Sequence, residues 1–115
     1  MVTKSVDSEN SIRSAIAEIR GEFSEFERLS SNVTLWQSDS HYRDLWDNLL
    51  ISIRILEKLA ANAQQKPGLL KKYFNSMSAE LERVADYCAN SGERDTAEII
   101  ASMQRASKRL EKLIS

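Results

Sequence analysis

Between Tyr42 and Ala63 the chain reads YRDLWDNLLISIRILEKLAANA, and one periodicity runs through all of it. Tyr42, Trp46, Leu49, Ile53, Leu56, Ala60 and Ala63 recur at alternating intervals of four and three residues, which on an α-helix makes a single apolar stripe. Taken alone, the aliphatic run from Leu49 to Leu56 fits a buried strand as well as a helix. Length decides between them. The spacing persists for more than about five turns, through helix-favouring Glu57-Lys58-Leu59-Ala60-Ala61. The stretch therefore predicts the central helix of a helical bundle.

Three further stripes share that spacing. Ile12, Ile16, Ile19, Phe23 and Phe26 define a first helix, with Asp7 or Ser8 as its cap. Leu70, Phe74, Met77, Leu81, Val84 and Cys88 define a third, with Pro67 in its first turn and Gly92 or Asn90 for a left-handed stop. Ile99, Met103, Ala106, Leu110 and Leu113 define a fourth, behind the capping-box spacing Asp95-Thr96-Ala97-Glu98 or a turn earlier at Ser91. Gly21 falls opposite the first stripe and predicts a slight bend or a close neighbour there.

Helices at about 8–31, 39–64, 67–90 and 93–114 predict one all-α domain over 1–115, an antiparallel up-down-up-down four-helix bundle with left-handed, heptad-like packing. A two-chain assembly of helical hairpins is the structural alternative. The longest connection, residues 31 to 39, contains Val33, Leu35 and Trp36, too apolar for a loop left in water. It reads either as a plug over one end of the core or as a binding hot spot built on Trp36.

The sequence carries no catalytic, metal or nucleotide signature. His41 is the only histidine, and Cys88 the only cysteine, so neither a His-based triad, a zinc site nor an internal disulfide has its partners. His41 stands at a helix start in Ser-His-Tyr-Arg-Asp-Leu and lacks the Lys-Gly pair of the histidine-phosphotransfer domains. Apolar stripes leave no place for the inward Glu and Glu-x-x-His pairs of di-iron bundles. Phosphate-binding Gly-rich loops and nucleophile elbows are also missing. The expectation is a non-enzymatic protein without cofactor, metal or small-molecule substrate. No apolar run reaches membrane-span length and the N-terminus has no signal-peptide core, so the cytoplasm is the expected compartment. Without a secretory signal the sequon Asn32-Val33-Thr34 carries little weight.

Two features remain. On the expected topology, Lys66, Lys71, Lys72, Arg105, Lys108, Arg109 and Lys112 gather at one pole and most carboxylates at the other, hidden under a net charge of -1. Those cations are the candidate contacts to an anion, a nucleic acid or an acidic protein. Ile51 and Ile55 point away from the core stripe into a field of Asp44, Asp47, Arg54, Lys58 and Asn62, with Leu50 and Leu59 flanking the stripe. Ile51, Ile55, Trp36, Leu50 and Leu59 are thus the candidate partner-binding residues. Three arrangements fit the isoleucines: burial under the loop around Trp36, a homodimer seam, or a groove for a partner. The expected role is a small intracellular protein–protein interaction module, a regulator, inhibitor, immunity protein or accessory subunit. An accessory nucleic-acid binder and a self-assembling structural bundle are the alternatives.

Overall fold

Each stripe buries one side of a helix, and the places where the helices start and stop follow from local backbone satisfaction. A computed structural model describes residues 2–61 and 67–114, with side chains for 10–61 and 68–114. Those residues form α1 (Val2–Leu29), a 3-10 turn (Ser30–Asn32), α2 (Thr34–Ser38), α3 (Ser40–Ala60), α4 (Pro67–Ser91) and α5 (Ala97–Ile114). The fold is all-α. Helix α1 packs on α3 and α5, and α4 packs on the same two. Among the described residues, no Cα atom of α1 comes within 8 Å of one in α4, nor any of α3 within that distance of α5.

Caps set two of the boundaries. The Asp39 side chain accepts from the backbone N–H groups of His41 and Tyr42 at 3.0 and 3.2 Å, satisfying donors that the first turn of α3 leaves open. Helix α4 stops at Gly92, whose φ of 73° is left-handed. There Glu93 N–H donates to the Cys88 carbonyl at 3.0 Å and Gly92 N–H to that of Ala89 at 3.4 Å, the paired bonds of a Schellman stop.

The core is continuous from end to end. Every residue of the first and third stripes is buried, as are Tyr42, Trp46, Leu49, Ile53, Leu56 and Ala60 of the second. Of the fourth, Ile99, Met103, Ala106 and Leu110 are buried while Leu113 is only half-covered. Ala63, together with Asn62 and Lys66, lies outside the described residues. Leu45, Ser52, Ile100 and Ser107 are also buried, so on α3 and α5 the covered sector is wider than a strict two-position seam.

Three expected boundaries are corrected. Helix α1 begins at Val2 rather than near Asp7 or Ser8, because propagation costs little once a helix is nucleated, so the helical backbone runs on past the cap candidates. Residues 31 to 39 are not one loop. They close a 3-10 turn and a separate helix, α2, held by Asp39 N–H on the Leu35 carbonyl at 2.9 Å. Helix α5 starts at Ala97 rather than at 93, because the Glu93 carboxylate takes up the Asp95 and Thr96 N–H groups and the Thr96 hydroxyl in a tight turn.

Gly21 is exposed in the middle of α1, and a Cβ built there meets nothing within 4 Å, so the close neighbour expected at this position is absent. Two alanine replacements therefore have opposite signs. Gly21→Ala stabilises the fold by about 1 kcal/mol by restricting the unfolded chain. Gly92→Ala destabilises it by about 1 kcal/mol, because alanine resists the left-handed conformation. Urea denaturation of the two variants beside the parent measures both.

Candidate functional site

The outer face of α3 is where the apolar pattern breaks. Ile51 is 56% exposed in the middle of the helix, and Ile55, one turn on, is half-buried without joining the core. Leu50 and Leu59 are half-buried and lean against the core, forming the shoulders of the same face. Asp44, Asp47, Asn48, Arg54 and Lys58 surround Ile51 and are all exposed. The face thus has an apolar centre, acidic residues toward the helix start and basic residues toward its end.

Trp36 lies elsewhere. It is half-buried, with its ring edge-on to Phe26 at 5.5 Å and to Tyr42 at 6.5 Å, beside the first turn of α3. Val33 is fully buried below it, and the Arg43 guanidinium donates to the Trp36 carbonyl at 2.7 Å and the Gln37 carbonyl at 3.3 Å, closing the end of α2. The segment covers the aromatic end of the core. It leaves Ile51 uncovered, so burial of the isoleucines under this segment is corrected.

That aromatic end contains a polar link which no spacing announces. Tyr87 of α4 donates its hydroxyl to Asp39, the carboxylate that caps α3. His41 stands edge-on to the Tyr87 ring at 5.1 Å. The Tyr87 hydroxyl, followed by the Tyr42 N–H, holds the Asp39 carboxyl below its ordinary range, and the same bond holds the Tyr87 phenol above its own. Deeper in, burial pushes the Cys88 thiol up to about 11, and the Thr96 hydroxyl lies 3.9 Å from its sulfur. Burial first, then the negative charges of Cys88 and Glu93, raises the Tyr42 phenol as well. A thiol so raised is a weak nucleophile at neutral pH.

The basic residues do not converge on one face. Lys71 and Lys112 line one groove together with Glu111, and Lys108 lines another together with Glu82. Arg109 turns the other way and pairs with Glu18 of α1. Arg105 bonds Ser102 at 2.9 Å, and the Lys72 ammonium sits 5.7 Å from the Tyr73 ring. Lys66 lies outside the described residues.

Among the described residues, no three His, Cys, Asp or Glu side chains gather as a metal site, and no helix is long and apolar enough to cross a membrane. Neither a protein-family model, nor a curated protein, nor a solved structure matches this chain.

The Asp39 link has a pH signature. A carboxyl depressed in the folded state stabilises it above the unfolded value of about 4, and that contribution disappears as pH falls through the lower folded value. Asp39→Asn is therefore less stable than the parent at neutral pH, and the difference shrinks on acidification. Tyr87→Phe moves the Asp39 carboxyl up toward its ordinary range. Thermal melts against pH and carboxyl titration by NMR measure the two effects.

Proposed function

We propose that this chain is a small, non-enzymatic cytoplasmic protein–protein interaction module, a regulator, inhibitor, immunity protein or accessory subunit that works by surface binding through the outer face of α3. The observation that carries the reading is the exposure of Ile51. Every other large apolar residue of α3 is buried or half-buried, and a solvent-facing isoleucine beside a second, core-free one marks a surface that gains by being covered. Leu50 and Leu59 widen that surface. Trp36 belongs to its rim only if the contact reaches the first turn of α3.

The scaffold is an antiparallel four-helix bundle with left-handed, heptad-like packing. Its support is the register of opposite ends. The Arg13 guanidinium lies 3.4 Å from the Ala60 carbonyl, whereas Phe23 and Phe26 of the same helix meet Trp46. Glu18 meets Arg109, and Asp39 meets Tyr87. Such a bundle fixes the backbone of α3, so binding on its outer face has only side chains to order.

Nucleic-acid binding through Lys71, Lys72, Lys108 and Arg109 is less well supported. Glu82, Glu111 and Glu18 are interleaved with those cations, and Arg109 is already engaged. The test is affinity purification of the tagged chain at low salt, with and without nuclease, beside the Ile51→Asp/Ile55→Asp variant. A stoichiometric protein that survives nuclease and is lost with the variant is the expected result. Protein capture that the variant leaves unchanged refutes the α3 surface. Capture that nuclease abolishes transfers the function to the basic residues.

A further inference from the structure

Resting on the reading of the α3 outer face as a contact surface, we infer that its occupant is a second copy of this chain, docked antiparallel about a two-fold axis passing beside Ile51. Helix geometry carries the argument. Asp44, Asp47, Arg54, Ile55 and Lys58 all lie within about 60° of Ile51 around the helix at 100° per residue. Asp44 and Lys58 stand seven residues to either side of Ile51, about 10 Å along the axis in each direction. A two-fold axis through Ile51 therefore sets each Asp44 opposite the Lys58 of the second copy. It also brings Asp47 near the second copy's Arg54 and Ile55, and lays Ile51 against its own counterpart.

A parallel arrangement does the reverse, stacking Asp44 on Asp44 and Lys58 on Lys58. The face is self-complementary in one direction only, which is the property an isologous interface requires. Within the chain these charges are unused: among the described residues, Asp44, Asp47, Arg54 and Lys58 make no ion pair or side-chain hydrogen bond, whereas Glu18, Glu25, Glu27 and Glu80 are all paired. A phosphate backbone fits half of the face and is repelled by the Asp44 and Asp47 half. The contact is one helix pair per copy, at the small end of interface sizes, so the dimer is reversible and weakens with added salt.

Sedimentation equilibrium of the full chain over a concentration series tests this, with far-UV circular dichroism and the thermal midpoint confirming that each variant stays folded. The parent is expected to show a monomer–dimer equilibrium. Ile51→Asp raises the dissociation constant by tenfold or more, on the order expected for losing a buried apolar centre. Asp44→Lys and Lys58→Asp each raise it about three- to tenfold, and the double variant, which restores opposite charges across the axis, returns to within about twofold of the parent.

Ile51→Cys in a Cys88→Ala background gives a second readout. With an added two-electron oxidant such as oxidised glutathione it forms a disulfide between copies, because a residue on the axis faces itself, whereas Asp44→Cys in the same background does not. A parent that stays monomeric at every concentration overturns the inference, and a captured protein still lost on Ile51 replacement would then leave the α3 surface standing with another occupant. A dimer indifferent to Ile51→Asp overturns the α3 seam. A double variant no better than either single change overturns the two-fold axis.

Discussion

The indole of Trp46 is the contact on which the rest of the molecule is arranged. It lies flat on the Phe26 ring at 3.6 Å with 7° between planes, and Phe23 and Tyr42 meet it edge-on at 5.7 and 6.3 Å. That packing ties α1 to α3 where both carry their largest side chains. Trp36 then closes over Phe26 from outside, which is why the segment after α1 folds back as a helix of its own. The arrangement has a cost. Trp46 Nε1 and the Tyr42 hydroxyl are buried without a hydrogen bond of ordinary geometry, although the phenol lies within electrostatic reach of Trp46 and Thr96. A buried polar group left wholly unpaired costs about 1–3 kcal/mol, and the nearness of Trp46 and Thr96 to the phenol lessens that cost.

The stripes were legible because burial follows a period, and a period survives in one dimension. Ile12 to Phe26 and Leu70 to Cys88 are buried at every position their spacing marks. Boundaries are less legible, since they depend on which local group satisfies a free N–H. Asp95 and Glu98 have the spacing of a capping box, yet the Glu93 carboxylate takes the Asp95 N–H that Glu98 would have accepted, together with the Thr96 N–H, and α5 starts at Ala97. Gly92 was readable because few residue types besides glycine suit its φ. Helix α2 was hidden, because five residues are too few to show a period and its C-terminal partner, Arg43, belongs to the next helix.

For the candidate site, the wheel separated Ile51 and Ile55 from the core stripe but treated them alike. Ile51 stands fully outward, while Ile55 sits lower between its neighbours and is half-covered. Wheel angle alone does not fix exposure, which depends on neighbours in three dimensions. The same limit hid the bond from Tyr87 to Asp39. The two residues are 48 positions apart and meet only because α3 and α4 settle at one particular axial offset. Charge sign was readable and charge pairing was not, as Arg109 shows by turning to Glu18 rather than toward the other cations.

The order of charges on α3 and α4 separates what helix stability explains from what it does not. On the outer face of α3 the order Asp44, Asp47, Arg54, Lys58, behind the Asp39 cap, agrees with the helix dipole, so it stabilises the helix with or without a partner, while Arg43 and Glu57 on its other sides run against it. On α4 the order is reversed, with Lys71 and Lys72 early and Glu80, Glu82 and Asp86 late, and among the described residues only Glu80 of these three carboxylates is ion-paired, with Arg83. Helix stability gives no reason for that reversal. Because the Asp39 cap meets Tyr87 near the end of α4, the reversal adds the carboxylates of α4 to those of α3 at the same end of the molecule. The chain becomes dipolar while staying nearly neutral. Two such dipoles side by side attract only when they point in opposite directions, which is also the orientation that pairs Asp44 with the Lys58 of a second copy. The long-range field of the whole molecule and the short-range complementarity of one helix face therefore select the same approach.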